Sequence, residues 1–276
     1  AVRAWVVRHK GLLTADAAER AIGGIKDLGH RGPVIVKTDN EPAIKALREA
    51  VLDELREGGI PEAPPAHDSQ SNGSVENAVK LLKGVLRTQL HCLERKAAVH
   101  VPSQHPVMAW LAEHAGDTIT KYMVSTDGRT GYERLFGKPV REEALEFGEV
   151  VMFKKFRGHD ANVLLDSRWG RGVWLGRKWG TNTSLVGIEN KVIECRSIQR
   201  VPRPERWDRE ALQSIRATPW ENPARDDAQV QVLPPQAPQE PPPDSEPTIT
   251  RQTHRVYITN ADLERWGHTA GCRKCA

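Results

Sequence analysis

The spacing of hydrophobic residues over the first 140 positions changes between that of strands and that of helices. Val2–Val7 alternates apolar and polar positions, which predicts a strand, and Val34–Val36 is an unbroken apolar run after Gly-Pro, which predicts a buried strand. Helical spacing predicts helices at 14–28, 44–55, 75–93 and 106–117, and prolines favour an extended segment at 60–67. Within 75–93, one helix face carries an apolar stripe that we expect to face the core, formed by Val75, Val79, Leu82, Leu86 and Leu93. This order of elements predicts an α/β domain, built in layers, over residues 1–140.

From Phe147 onward, apolar positions recur at every second residue in short runs that turn-forming residues separate. The runs at 150–153, 172–176, 184–188 and 191–196 predict a small β-barrel over residues 147–203. Tryptophans and cations are interleaved along it, and two interpretations stay open. Either the tryptophans fill the barrel and the cations are solvated, or the barrel binds DNA. The cations chosen for DNA contact are Lys154, Lys155, Arg171, Arg177 and Lys178.

The C-terminal part of the chain differs in composition from the rest. Residues 217–250 contain nine prolines among Gln, Glu and Asp, which cannot bury a core, so we predict a disordered linker there. A short segment at 251–276 ends with His268, Cys272 and Cys275. A Cys-x-x-Cys pair with a nearby histidine is half of a zinc site, and His254 is the candidate for a fourth ligand.

Composition and charge narrow the class of protein. No run of 18 apolar residues and no signal peptide are present, so we expect no membrane association. Four scattered cysteines indicate a reducing compartment. The net charge of +4 conceals a segregation, because residues 148–216 carry 14 Lys/Arg against 8 Asp/Glu whereas residues 1–147 are balanced. The middle segment is therefore the natural candidate for contact with phosphate groups.

Two acidic residues follow predicted elements at positions where a site could form. Asp39 comes just after the strand Val34–Val36, at the end where open α/β sheets place their sites. Glu76 opens a helix behind a polar, Gly-containing loop, and Lys80, Lys83 and Arg87 follow it at offsets of 4, 7 and 11, on one helix face. A carboxylate can hold a divalent metal, and aligned cations can hold a polyanion. The alternatives are a helix cap at Asp39 or Asn40 and ordinary Glu–Lys pairs on a solvated face.

Taken together, these stretches resemble the catalytic core of retroviral and LTR-retrotransposon integrases. Asp39-Asn40 matches the second acidic position of that family, and Ser71-Asn72-Gly73-Ser74-Val75-Glu76 matches the third. Lys80 and Lys83 fall on the offsets of the lysines that touch the element's DNA end. The resemblance implies an RNase H-like core over about residues 1–140, followed by a small SH3-like barrel.

The resemblance also implies an activity and a division of roles. Water activated by Mg²⁺ or Mn²⁺ would trim the element's 3′ end, and the freed hydroxyl would attack target DNA. Asp39 and Glu76 would be the catalytic metal ligands, Lys80, Lys83 and Arg87 would hold DNA phosphates, and Asn40, Asn72 and Gly73 would shape the adjacent loop. The implied partners are element ends, target DNA and further copies of the complete protein, as part of a polyprotein in the nucleus or a cytoplasmic particle.

One part of the family's pattern is not matched. The family carries a first Asp on a first strand, whereas Val2–Val7 would be the third strand, so that Asp would lie upstream of Ala1. Asp16 is a poor substitute because it opens a predicted helix. We therefore expect a truncated core whose two carboxylates hold one metal ion weakly and which does not catalyse strand transfer alone. A non-catalytic nucleic-acid-binding module, or a nuclease of the same fold with its own first acid, remains an alternative.

Overall fold

A computed structural model describes residues 1–9, 16–30, 32–55, 58–62, 73–155 and 167–222. These residues form a mixed α/β fold with two sheets. Residues 1–229 make one compact unit, and the predicted zinc ligands His268, Cys272 and Cys275 lie outside the described residues with the segment 251–276. No helix in the described ranges is long and apolar enough to cross a membrane.

The N-terminal part contains a small parallel sheet. Helix α1 spans Asp16–Asp27, strand β1 Val34–Lys37, helix α2 Pro42–Leu55 and strand β2 Gly59–Glu62. β1 and β2 pair in parallel, with Ile35 opposite Ile60, and Lys37 Nζ lies 2.8 Å from Glu62 Oε1 at the last paired position. The predicted helices and the strand at Val34–Val36 are thus confirmed as elements, and the extended segment is confirmed at residues 60–62, since residues 63–67 lie outside the described residues. Both isoleucines are exposed, however, so β1 is not the fully buried strand that its apolar run predicted.

Two long helices follow. Helix α3 spans Gly73–Ala97 and α4 spans Val107–Tyr122, and the two pack against each other. The predicted apolar stripe of α3 reaches the core only in its second half: Leu93 is buried, whereas Val75 and Val79 are 56% and 43% exposed. The prediction of a core-facing stripe was therefore wrong for the first turns, which project beyond the packed part of the helix.

Helix α5, at Gly131–Phe136, shows how local sequence sets its ends. Thr130 Oγ1 accepts a hydrogen bond from the backbone N–H of Glu133, and the Glu133 carboxylate accepts one from the N–H of Thr130. This reciprocal cap satisfies two N–H groups that a helix start leaves unpaired. Gly137 ends the helix with a φ of 67°, a left-handed conformation that glycine adopts without a steric penalty.

The segment predicted as a barrel forms a five-stranded antiparallel sheet. Its strands are β3 Val150–Lys154, β4 Trp169–Arg177, β5 Ser184–Ile188, β6 Lys191–Cys195 and β7 Ile198–Arg200. Their order is β6-β5-β4-β3-β7. β3, β5 and β6 were predicted to within one residue, whereas β4 begins three residues before and ends one residue after the predicted run 172–176. β7 was missed because three residues carry too little periodicity. A short α6, Arg209–Gln213, follows.

The sheet has a separate apolar cluster on each face. Val173 and Leu175 of β4 pack with Leu93 of α3 and Trp110 and Leu111 of α4. Trp174, between them in sequence, packs instead with Phe153 and Val186. Successive side chains of a strand point to opposite faces, so this alternation follows from the period of two. The helices and the sheet therefore share a core, and the boundary predicted near residues 140–147 stays a prediction.

The N-terminal segment differs from the expected strand. Residues 1–7 have no regular secondary structure, and they run along α4. The backbone N–H of Val2 donates to Thr120 Oγ1 at 2.7 Å, and that of Val6 to Glu113 Oε1 at 3.4 Å. The strand predicted at Val2–Val7 was therefore wrong, because side chains of a helix, and not a neighbouring strand, form hydrogen bonds with the backbone of Val2 and Val6.

The prediction of a disordered linker at 217–250 was wrong for residues 217–222, and residues 223–250 lie outside the described residues. Ala217 and Asn222 are buried, and the Asn222 side chain exchanges hydrogen bonds with the backbone N–H and C=O of Val192 at 2.9 and 2.7 Å. Trp110 Nε1 donates to the Ala217 carbonyl at 2.9 Å. The proline-rich composition therefore does not prevent residues 217–222 from packing, because backbone and side-chain hydrogen bonds hold them against β6 and α4.

Candidate functional site

Asp39 lies at the carboxyl end of β1, as the sequence predicted. Its side chain is exposed, and its Oδ1 accepts a hydrogen bond from the backbone N–H of Asn40 at 2.6 Å. β1 and β2 are parallel, so the chain leaves both strands at this same edge of the small sheet. From Glu62 at the end of β2, ten residues outside the described ranges lead to the start of α3.

Glu76 lies in the first turn of α3, where a carboxylate interacts favourably with the positive end of the helix dipole. It is exposed, and so are Lys80, Lys83 and Arg87. The helix is continuous from Gly73 to Ala97, so its geometry aligns the four side chains on one face, as their offsets predicted. The pairing of Glu76 with Asp39 across the sheet edge stays a prediction.

The three cations of this face are open to solvent and to a ligand. Within the described part of the chain, no ion pair involves Lys80, Lys83 or Arg87, and the recorded contact among them is from Arg87 Nε to the Lys83 carbonyl at 3.2 Å. Gly73 begins the helix with open space around its Cα, Asn40 is exposed beside Asp39, and Asn72 lies outside the described residues. The arrangement is a helix ridge with one carboxylate followed by aligned positive charges.

The cations of the five-stranded sheet divide into two sets. Arg171, Arg177 and Lys178 approach carboxylates: Asp208 at 3.4 Å, Glu142 at 3.2 Å and Glu194 at 2.7 Å. Arg177 is also largely buried, which makes it the least suited of the predicted set to contact DNA. Trp174 and Trp179 are both buried, but only Trp174 packs in an apolar cluster of the sheet, with Phe153 and Val186. Trp179 packs against α1 and α5 instead of filling the sheet's core.

Lys154 and Lys155 belong to a second set that is exposed. The backbone N–H of Lys154 donates to Ser197 and that of Lys155 to Arg168, which brings the end of β3 next to the start of β4 and the β6–β7 turn. Arg168 and Arg196 are exposed at these neighbouring positions. No ion pair in the described ranges neutralises these cations, so we call Lys154, Lys155, Arg168 and Arg196 the basic end of the sheet.

A metal centre with three or more protein ligands is not formed by the described residues. Among them, no group of three or more His, Cys, Asp or Glu side chains is arranged to hold a metal ion. Carboxylate oxygens are the ligands that Mg²⁺ and Mn²⁺ prefer, so the donor chemistry of Asp39 and Glu76 suits either ion. These two residues are the ones that would hold it.

A buried cluster of charges was not found from the sequence. Arg3 forms an ion pair with Asp117, and Arg20 NH1 lies 2.7 Å from Glu113 Oε1. Burial raises the pKa of Asp117 to about 6 although Arg3 and Lys121 lower it, and burial also raises the pKa of Glu113. Glu113, Asp117 and Lys121 recur every four residues on α4, a spacing that could have indicated one polar stripe facing a partner.

Comparisons with known proteins find similarity only at the level of solved structures. No protein-family model matches the chain, and no curated protein matches it. One similar solved structure is that of the simian T-cell lymphotropic virus intasome in complex with the PP2A regulatory subunit B56 gamma, determined by cryo-electron microscopy. The identity is 19%, the TM-score is 0.34, and the match covers 68% of this chain and 64% of that chain. The proposals below therefore rest on this chain's own residues.

Proposed function

We propose that this chain is a DNA-binding protein of the integrase type, in which Asp39 and Glu76 hold Mg²⁺ or Mn²⁺ beside a DNA phosphate. The observation that carries the proposal is the exposed ridge of α3. Glu76 stands at its start, and Lys80, Lys83 and Arg87 follow along a continuous helix with no carboxylate neutralising them in the described ranges. Aligned and unpaired cations attract a polyanion, and the sequence of residues around Glu76 resembles the integrase motif.

Asp39 supports the metal part of the proposal by its position. It lies exposed beyond β1, at the edge where two parallel strands end, and open α/β sheets bind their ligands at such edges. When coordinated by both carboxylates, the metal would polarise a phosphodiester oxygen and lower the pKa of a bound water. Asp39 and Glu76 would orient the ion, and the α3 cations would hold the DNA in register with it.

Salt dependence of DNA binding tests the ridge. The triple variant Lys80→Gln, Lys83→Gln, Arg87→Gln should make the fall of the DNA-binding constant with salt less steep. The magnitude of the slope of log K against log salt should decrease by about 2–3, because each lost phosphate contact reduces it by about 1. A matched control replaces three exposed cations outside α3, Arg129, Lys138 and Arg141, by Gln and removes the same charge. Equal slopes for the two triples would show that α3 makes no special contact.

Metal binding tests the carboxylate pair separately. Titration with Mn²⁺, followed by electron paramagnetic resonance, should show one weak site that Asp39→Asn and Glu76→Gln each remove. Asp127→Asn is the control, because that carboxylate is exposed and paired with Arg134 on another element. If neither Asp39→Asn nor Glu76→Gln changes the Mn²⁺ affinity, the two residues are not ligands of one ion.

Catalysis depends on a third acid, because the matched motif supplies two. We expect no strand transfer from this chain with either metal, because two carboxylates do not hold the pair of metal ions that in-line phosphoryl transfer uses. Strand transfer by this chain that Glu76→Gln abolishes would show that a third acid within the chain completes the site and would reject this expectation.

A second candidate function is nucleic-acid binding without catalysis, through the basic end of the sheet. The observation in its favour is that Lys154, Lys155, Arg168 and Arg196 are exposed at neighbouring positions and unpaired in the described ranges. Lys154→Gln with Lys155→Gln should weaken DNA binding more than Arg171→Gln with Lys178→Gln, since the latter pair already contacts carboxylates. The reverse order would exclude the basic end as a DNA contact.

A further inference from the structure

A cavity of about 290 Å³ lies where the two long helices meet the five-stranded sheet. Its walls come from α3, α4, the segment 142–147 before β3, and β4. The volume is about twice the ~150 Å³ of a cavity that binds benzene, and it reaches the lower end of the range for small-molecule sites. Thr88 and Cys92 of α3 line it and are exposed, so the cavity opens to solvent on that side.

One wall of the cavity is apolar and aromatic. Phe147 and Trp174 are buried and flank His114, with ring centroids 5.4 and 5.3 Å from the imidazole centroid. Leu93 and Leu145, both buried, extend this surface. Such a wall favours a flat hydrophobic group, because aromatic pairs gain about 0.5–1.5 kcal/mol beyond the burial of their area.

The lining also carries a charge imbalance. Glu142 Oε2 is shared by two cations, with Lys121 Nζ at 3.4 Å and Arg177 Nε at 3.2 Å. The other lining carboxylates are matched by cations: Asp117 pairs with Arg3 and Glu146 with Lys96, and Arg200 and Arg206 together neutralise Glu143 and the adjacent buried Glu149. One positive charge is therefore left over beside the cavity.

The shared contacts are also weak. Charge-assisted N–H···O bonds are normally about 2.7–2.9 Å long, so both contacts to Glu142 exceed that range. The side chains of Lys121 and Arg177 are 9% and 16% exposed, which means that water supplies few of the missing hydrogen bonds. The other contacts of these cations are also weak, since Arg177 NH1 donates to the Asn182 carbonyl at 3.4 Å and Lys121 Nζ lies 5.6 Å from the ring centroid of Trp179. A second anion would therefore stabilise both buried cations.

From this geometry we propose that the cavity binds a small aromatic carboxylate, with its ring against Phe147 and Trp174 and its carboxylate held by Lys121 and Arg177. The ligand would touch α3, α4 and β4 at once, so its binding stabilises the contact between the helices and the sheet. The proposal does not depend on DNA binding or on Asp39 and Glu76, which lie outside the cavity lining.

Protection of Cys92 from alkylation tests the site on the full chain. Alkylation of the Cys92 peptide by iodoacetamide is followed by mass spectrometry, with 2-naphthoate as the probe and 2-naphthamide as its uncharged match. Naphthoate should slow alkylation at least tenfold at saturation, and naphthamide should bind at least tenfold more weakly. No protection by naphthoate, or equal affinity for the two compounds, would overturn the proposal.

Two variants assign the contacts. Arg177→Gln should weaken naphthoate binding at least tenfold and leave the affinity for naphthamide unchanged. Thr88→Trp places a large side chain at the exposed mouth and should abolish binding of both compounds while the melting temperature stays the same. Lys138→Gln, an exposed cation outside the cavity lining, is the control and should change neither affinity. Naphthoate binding that survives both Arg177→Gln and Thr88→Trp would place the ligand elsewhere.

Discussion

His114 shows how burial determines the chemistry of a single side chain in this protein. Burial lowers its pKa to about 4, and the positive charge of Lys121 acts in the same direction. The imidazole is therefore neutral at pH 7, and its Nε2 lies 3.3 Å from Thr118 Oγ1. Its ring contacts with Phe147 and Trp174 give this histidine a packing role.

The pKa of His114 predicts a loss of stability in acid. Since the folded value is below the unfolded value of about 6.5, the contribution of this histidine is present above pH 6.5 and is lost as the pH falls toward 4. Between pH 7.5 and 4.5, the native protein should lose about 2–3 kcal/mol relative to His114→Gln, measured by urea unfolding. Burial raises the pKa of Asp117, so its own contribution to the free energy of unfolding changes with pH in the opposite direction. That contribution is present in both the native protein and His114→Gln, so it cancels when their free energies of unfolding are subtracted. A difference that does not change with pH would contradict a buried neutral imidazole.

Arg200 is a second residue whose role depends on burial. Its Nε and NH2 contact the two oxygens of Glu149 at 2.7 Å each, and Glu149 is fully buried. These hydrogen bonds raise the pKa of Arg200 further, so the guanidinium stays charged. The sequence did not indicate this role for Arg200, because spacing alone cannot show which carboxylate a strand residue meets.

Removing Arg200 should therefore destabilise the fold. Arg200→Met leaves the Glu149 carboxylate buried, with Arg206 Nε 3.4 Å away as its remaining cation. We expect a loss of about 3 kcal/mol in the free energy of unfolding, measured by urea denaturation at pH 7. Lys154→Met removes an exposed cation from a neighbouring strand and is the control. If both variants have the same urea midpoint, the Glu149–Arg200 pair does not stabilise the protein.

At the scale of elements, periodicity predicted which segments are helices and strands but not how far each one packs. α4 continues to Tyr122, five residues beyond the predicted end at 117, because its polar residues Asp117 and Lys121 find partners that keep the last turns against the protein. α3 begins and ends near its predicted limits, yet its first turns are exposed. An apolar stripe marks a face, and the number of neighbours available decides whether that face is covered.

Replacing two helical glycines by alanine should change the stability of the protein in opposite directions. Gly84 of α3 has open space where a Cβ would stand, whereas a Cβ on Gly116 of α4 would lie 2.7 Å from the backbone nitrogen of Ala4. Gly84→Ala should stabilise the protein by about 0.5–1 kcal/mol through helix propensity. Gly116→Ala should destabilise it by about 1–3 kcal/mol, because the N-terminal segment must move away. Chemical denaturation measures both, and stabilisation by Gly116→Ala would show that residues 1–7 do not rest on α4.

At the scale of the whole molecule, Trp179 joins the sheet to the helical part. It lies in the turn after β4, and its Nε1 donates to the carbonyl of Asp27 at the end of α1 at 3.1 Å. The guanidinium of Arg3 stacks 4.4 Å from its ring centroid, and Tyr132 and Phe136 of α5 flank it at 6.0 and 5.9 Å. One buried side chain thus contacts the N-terminal segment, α1 and α5.

This junction predicts that the described part of the chain unfolds as one unit. Trp179→Ala should cost about 3–5 kcal/mol and shift the far-UV and near-UV circular dichroism transitions together. Trp169→Ala, a half-buried position at the start of β4, should shift them much less. Two separate transitions in the native protein would mean that the sheet and the helices fold independently, as the domain division at 140–147 assumed.

The sequence by itself determined the type and approximate limits of most elements, because periods of 2 and 3.6 residues are written locally in the chain. It also determined that Glu76 and the cations after it share a helix face, which needs helix geometry alone. Only the tertiary structure decided that Val2–Val7 packs along helix α4, and that Val75 and Val79 are exposed. It also decided that Glu142 forms ion pairs with both Lys121 and Arg177. These facts depend on contacts between residues far apart in sequence, and neither spacing nor composition records which distant groups meet.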